Sequence, residues 1–432
     1  MLFLPLPGTE DVQVWKTWSY GTLGGITQMY GVGGHPPTRG VVSWHGIHTT
    51  VDYPPGTLYG LRVVAALYRA ARPSYEDSVW LTVLIKLSVL VCELILCLAI
   101  ARLISRYADA STARAAVLFY WVNPAALLDG AVLGYLDAWA GASAMLAMLA
   151  ADRSAPLLCG VALTVAVMTK LQAVFIVPVA ALILWRCSRS PIRAVAIAAL
   201  GAIVTCAAML VPFALAGALP NLRQGVMSLL RHDMLSGTAA NLWWIVTWIV
   251  RASYAAHDLG AWAAWTMTVR ILGVSRLVAL GWPNPRPIGA ALTLAAAAWA
   301  LWRAARSPLS SPQGSAIVLA AGAFIVHAYF VLAVQVHENH LYLALPLMAA
   351  AAAVLPQLRA PLAAVSAISA LNLFLLYGIG RGVPLPPRHV TILDTTVLLS
   401  MCNLAALAWH GRVLHEASRP AAVDLDRDAR HV

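Results

Sequence analysis

Val79–Ala101 reads VWLTVLIKLSVLVCELILCLAIA, 23 residues in which Lys86 and Glu93 are the sole charges. At about 1.5 Å of rise per residue this run makes a helix of about 35 Å, enough to cross a hydrocarbon core about 30 Å thick. Ten more apolar runs follow: Ala115–Leu128, Ala138–Ala151, Leu157–Met168, Ala173–Trp185, Ala194–Leu215, Ile288–Trp302, Ala316–Val334, Leu341–Leu355, Leu362–Tyr377 and Ile392–Trp409. Composition agrees: of 432 residues 60% are hydrophobic and 11% charged, with mean hydropathy +0.75, whereas a soluble domain carries about a quarter charged residues. The expectation is an all-α, polytopic transmembrane bundle of about eleven spans. Residues 1–432 read as a single integral-membrane domain. Within it, 1–78 forms a long outer loop, 79–410 the bundle and 411–432 a cytoplasmic tail that includes the acidic stretch Asp424–Asp428.

The net charge of +11 does not point to nucleic acid, because the basic residues are spread over many loops rather than gathered into one patch. Lysine occurs only as Lys16, Lys86 and Lys170. Arginine and alanine dominate instead, a bias of GC-rich bacterial genomes. The six cysteines (Cys92, Cys97, Cys159, Cys187, Cys206 and Cys402) lie in or at the ends of apolar runs without metal-ligand spacing and read as apolar filler. Met1–Pro7 is too short for a cleavable signal.

Short basic loops set the orientation. Arg102/Arg106/Arg114, Arg153, Arg186/Arg189/Arg193, Arg303/Arg306, Arg359 and Arg412/Arg419 alternate with less basic turns, and the positive-inside rule puts them in the cytoplasm. Parity then gathers Thr9–Glu76, Asp129–Asp137, Lys170–Gln172, Ala216–Pro287, His337–His340 and Gly378–His389 on the outer face. The first of these stretches carries Glu10-Asp11, Trp15, Trp18, His35, His45, His48 and Asp52-Tyr53-Pro54-Pro55. Asp11–Tyr30 and Pro54–Ala71 read as interfacial helices, and Gly31–Val51 as a loop.

Each polar landmark has a structural reading beside the chemical one. Asp11 also suits the first turn of a helix after Thr9, whose N–H groups would favour its ionised form. Asp52 also suits loop-to-helix punctuation. Lys86 and Glu93, seven apart on one face of a span, read as a structural pair. His337-Glu338-Asn339-His340 also fits an interfacial turn; as a zinc motif it lacks a specified third ligand.

Taken in order, these landmarks resemble the GT-C glycosyltransferases, integral-membrane enzymes that use polyprenyl-phosphate sugars. The sequence is most similar to the dolichyl-phosphate-glucose-dependent glucosyltransferases, and shares Lys-x-Gln and His-Glu elements with bacterial mannosyltransferase-like proteins. The matching residues are Asp11, Asp52-Tyr53-Pro54-Pro55, Ser74-Tyr75-Glu76, Lys86 and Glu93, Gly134-Tyr135-Leu136-Asp137, Lys170-Leu171-Gln172, Ala240-Asn241-Leu242-Trp243, and Gln335-Val336-His337-Glu338 before Leu345-Pro346. Two departures stand out. The family's first span is missing or truncated, and Glu10-Asp11 replaces an Asp-x-Asp pair, which speaks against a metal-dependent reaction.

The resemblance implies an inverting transfer of a hexose from a polyprenyl-phosphate donor to a glycan or lipid-linked acceptor at the outer membrane face. That face is periplasmic in a bacterial plasma membrane and lumenal in an endoplasmic reticulum. It implies Asp11 as the base, with no cofactor. His337, Lys170, Arg231 and Arg381 are candidates for the donor phosphate. Glu10, Asp52, Tyr53, Glu76, Asp137, Gln172, Asn241, Trp243 and Glu338 are candidates for the surrounding substrate site. The rival readings are a transporter or flippase of a lipid-linked or anionic substrate, which would favour internal repeats with broken helices, and a non-catalytic homologue.

Overall fold

The computed structural model describes residues 2–32, 39–229, 231–259, 261–307, 312–389 and 393–419. His35 and Asp424–Asp428 lie outside the described residues. The helices in chain order are α1 Glu10–Thr22, α2 Pro55–Ala71, α3 Val79–Ile104, α4 Ala110–Trp121, α5 Pro124–Ala126, α6 Asp137–Asp152, α7 Pro156–Thr169, α8 Val177–Cys187 and α9 Pro191–Leu215. They continue with α10 Leu219–Leu229, α11 Leu242–Leu259, α12 Ala261–Trp265, α13 Val274–Ala279, α14 Pro285–Arg306, α15 Pro312–Leu332, α16 Ala344–Val354, α17 Arg359–Tyr377 and α18 Thr395–Ala417. A π-helical stretch, Leu127–Leu133, follows α5, and a 3₁₀ stretch, Leu171–Ile176, precedes α8.

Local chemistry sets the starts of these helices. Pro55 occupies the first turn of α2, where its missing N–H costs nothing. Asp109, Asn123, Asn284 and Asp394 each accept a backbone N–H at the start of the helix that follows. One departure from an all-helical chain is a hairpin, β1 Val41–Trp44 and β2 Ile47–Thr50, inside the stretch expected to be loop. Its two-residue turn holds both His45 (φ 45°) and Gly46 (φ 77°) at positive φ, the conformation that matches the twist of a tight hairpin.

The expected eleven spans are not found. Among the described residues six helices are long and apolar enough to cross a membrane: α3, α9, α14, α15, α17 (with the short turn before it) and α18. A seventh is counted if α4 and the bent segment Pro124–Leu133 make one span, with a 45° bend at their break. The remaining apolar runs form shorter helices: α6 has 16 residues, α7 14, α8 11 and α16 11. For α6 and α16 the apolarity has another cause, burial inside the bundle. Helices enclosed by other helices are apolar all round, and α16 is buried along nearly its whole length. α18 runs on to Ala417.

Burial separates the centre from the rim. In the most apolar window of α15, 83% of residues are buried, against 11% in α9. α9 therefore presents most of its surface outward, as a lipid-facing helix does. α6, α15 and α16 form the interior, and α1 and α2 pack on each other and against α3.

Candidate active site

Asp11 lies in the first turn of α1, on a segment docked from two sides. Thr9 N–H donates to the Leu133 carbonyl at 3.0 Å, and Arg381 N–H donates to the Gly8 carbonyl at 2.7 Å. Gly8 has φ +74°, and a Cβ there would sit 2.5 Å from the Leu133 oxygen. Only glycine fits that turn.

The groups surrounding Asp11 come from four other segments. They are Glu338, Lys170, Asp52 and Asp137. Burial, then the charges of Glu338, Asp52 and Asp137, raise the Asp11 carboxyl to about 7, with Lys170 pulling the other way. The helix N-terminus was expected to favour the ionised form; desolvation and neighbouring carboxylates outweigh it. A carboxyl raised in this way is a stronger base than a free one, as proton acceptance requires.

Among these neighbours, Asp137, at the start of α6, accepts from the Lys170 ammonium at 2.5 Å and from Asn339 Nδ2 at 2.9 Å, all three groups being buried. Glu338 accepts hydroxyl bonds from Tyr135 (2.8 Å), Tyr377 (2.9 Å) and Thr238 (3.1 Å). Asp52 faces His232, Arg39 and His337; burial nevertheless raises its pKa. The Tyr53 ring packs edge-on against Trp15 and Trp18, at 5.3 and 5.7 Å, and the Tyr30 hydroxyl donates to its carbonyl at 2.6 Å.

Beside this cluster is a cavity of about 160 Å³, walled by Tyr53, Lys170, Gln172, His232, His337 and His340 among others. The Gln172 amide nitrogen is buried without a hydrogen-bond partner among the described residues. His337 is held by a short pairing of Leu235–Thr238 against Gln335–His337, including Gly237 N–H to Val336 O at 2.8 Å. A Cβ on Gly237 would lie 2.7 Å from His337 Nδ1. His340 is half-buried and shares a hydrogen bond with the Tyr329 hydroxyl at 3.0 Å. Burial lowers the pKa of both His232 and His340, which favours the neutral imidazole in each.

A second, larger space adjoins the first. An apolar groove of about 1030 Å³ runs between α2, α3, α6, α7 and α9, past Val63, Leu67, Leu84, Trp139, Val204 and Ala208. Gly56 and Thr169 line this groove, and their near neighbours in the chain, Pro54 and Lys170, line the polar cavity. The Thr57 hydroxyl joins the two chain segments by donating to the Thr169 carbonyl at 2.7 Å.

Other residues singled out in the sequence lie elsewhere. Arg381 pairs with the exposed Glu10 at 2.8 Å. Arg231 is exposed, next to His232. Glu76 is exposed and accepts from Ser74 at 2.8 Å; its neighbour Tyr75 packs on the far end of α1 through Ser19 and Tyr20. Asn241 is buried and bonds the Trp244 N–H and the Phe330 carbonyl, while Trp243 Nε1 donates to the Leu332 carbonyl at 2.7 Å. Both hold α11 against α15.

The expected Lys86–Glu93 pair does not form. Glu93 accepts hydroxyl bonds from Tyr120 and Tyr342, and Lys86 bonds backbone carbonyls. Phenol hydroxyls and carbonyls from other elements satisfy these charges better than a partner two turns away. Sequence reasoning also passed over His232 and Arg39, which no motif marks.

The sequence profile that matches most of the chain places it in the GT-C superfamily of integral-membrane glycosyltransferases. Within that class the chain belongs to the ALG6, ALG8 glycosyltransferase family, whose sequence profile matches residues 44–409. Asp11 lies upstream of the matched region. No curated protein matches. The solved archaeal oligosaccharyltransferase AglB from Archaeoglobus fulgidus, in complex with an inhibitory peptide and a dolichol-phosphate, aligns over 98% of this chain at 12% identity and a TM-score of 0.37. This chain spans about half of that protein, 54% of its length.

Proposed function

We propose that this protein transfers a hexose from a polyprenyl-phosphate donor to an acceptor hydroxyl at the outer membrane face, with inversion at the anomeric carbon. The observation that carries the proposal is the buried carboxyl of Asp11 facing Lys170, which lines the polar cavity one residue along the chain from Thr169 of the apolar groove. The groove suits a polyprenyl tail, because it is long, apolar and bounded by the outward-facing α9. The cavity suits the phosphate: Lys170, His337 and His232 supply a cation and N–H donors, and Gln172 has an unused amide.

The acceptor oxygen attacks the anomeric carbon and its proton passes to Asp11. The bond from that carbon to the phosphate oxygen breaks, and the electron pair leaves with the polyprenyl phosphate. Inversion follows from a single displacement. Asp137 keeps Lys170 in place, and Glu338 orients Tyr135 and Tyr377 beside the base. Because side chains meet the phosphate charge, the proposed reaction needs no metal ion.

The test is transfer in detergent, with EDTA present, across a panel of polyprenyl-phosphate hexoses. Asp11→Asn keeps the shape of the side chain and removes the proton acceptor. It is expected to lower kcat by roughly 10²–10⁴-fold, the usual share of a general base, with donor binding retained. Near-normal turnover of Asp11→Asn removes it as the base.

A further inference from the structure

Lys86 is fully buried in α3. Its ammonium makes no ion pair among the described residues. It donates instead to the backbone carbonyls of Val132 at 2.6 Å, Leu6 at 2.8 Å and Phe3 at 3.5 Å. An ammonium has three donors, so its capacity is filled by two chain segments that do not belong to α3. Leu6 stands five residues before Asp11, and Val132 five before Asp137. The lysine stem lies along the same junction, since a Cβ on Gly134 (φ +82°) would be 3.2 Å from Lys86 Cε and 2.7 Å from Val12 Cγ2.

We infer that Lys86 is a positioning residue that pins the segment carrying Asp11 to the segment carrying Tyr135 and Asp137. The inference rests on the reading of Asp11 as the base. A charge inside a span is costly, and a buried charge adds little stability over an apolar side chain of equal size. Stability alone is thus a weak reason to keep a lysine here. Registration is a better one. Three bonds from one rigidly held atom fix the two backbones relative to each other, and displacing a reacting group by about 1 Å costs about a hundredfold in rate.

The test compares Lys86→Met and Lys86→Arg in the full-length, detergent-purified protein. The methionine variant is expected to bind the donor with KM little changed while kcat falls about a hundredfold. The arginine variant, which keeps the donors, should recover much of that loss. A loosened Asp11 segment also admits water, so the acid limb of kcat/KM in Lys86→Met should move below its wild-type position. The groups facing Asp11 in that titration are Glu338, Lys170, Asp52 and Asp137. Wild-type kcat per folded molecule with only a lower Tm would overturn the inference. If Lys86→Met does not fold, the same kcat-against-KM split is read on Lys86→Gln, and failure of both to fold makes the lysine purely structural and overturns it too. Asp11→Asn separates the two readings. Turnover by that variant defeats the base assignment, whereas a dead Asp11→Asn beside a wild-type-like Lys86→Met defeats this inference alone.

Discussion

Asp11 sits in an environment that departs from what its local sequence implies. Its position in the first turn of α1 favours a low pKa, and the folded chain brings burial and three carboxylates against it, giving about 7. Two consequences follow at the scale of the residue. The proposed base must be ionised, so kcat/KM should rise with pH through about 7. Glu338→Gln keeps an acceptor for Tyr135 and Tyr377 and removes one of those charges. It should shift the acid limb to lower pH, and an unmoved limb would show that another group sets it. Stability carries the opposite sign. A carboxyl whose folded pKa is raised from 3.8 favours the folded state at low pH, and that contribution is lost as pH rises through about 7. Asp11→Asn should accordingly melt higher than the wild type above pH 7.

At the scale of the element, α7 and α9 decide what the groove can hold. α7 ends at Thr169, where the chain turns into Lys170, so one helix terminus links the apolar wall to the cation of the polar cavity. α9 supplies Val204, Thr205, Ala208 and Met209 to the same groove while leaving most of its surface outward. Ala208→Trp should therefore fill the groove without disturbing a packed core. Its expected effect is a several-fold rise in KM for long-chain polyprenyl donors and little change for a short-chain analogue, read by steady-state transfer. Equal effects on both donors would place the tail elsewhere. The hairpin β1–β2 and the π-helical stretch Leu127–Leu133 were not visible as such in the sequence. The hairpin is short and follows a Gly- and Pro-rich stretch. The π-helix forms where Asn123-Pro124 and Gly134 interrupt an otherwise helical run.

Across the whole molecule, the six segments assigned to one face by loop charge do meet. Asp137 bonds Lys170 and Asn339, Glu338 bonds Tyr135, Thr238 and Tyr377, and Arg381 pairs with Glu10. Arg106 belongs to a different group and pairs with the buried Asp152 at 2.6 Å. Single cysteines should react accordingly: one replacing His337 is labelled from outside intact cells, and one replacing Arg189 only after permeabilisation. The reverse pattern would invert the proposed orientation.

Sequence alone determined that this is a helical membrane protein, because apolar content and the lengths of runs such as Val79–Ala101 are local properties. Ordered motifs also pointed to the glycosyltransferase family. The number of membrane-crossing helices was decided only in three dimensions. Enclosure within a bundle and contact with lipid select the same apolar residues, so a buried short helix such as α16 reads like a span. The site followed the same division. Asp11, Lys170, His337 and Glu338 were legible as residue types in polar stretches. Contacts between segments far apart in the chain brought His232 beside them and gave Arg381, Glu76, Asn241 and Trp243 other partners. Lys86 and Glu93 share a helix face, yet each is satisfied by other elements. Pairing energy depends on which donors and acceptors the fold places nearest, and sequence spacing constrains that only within one helix.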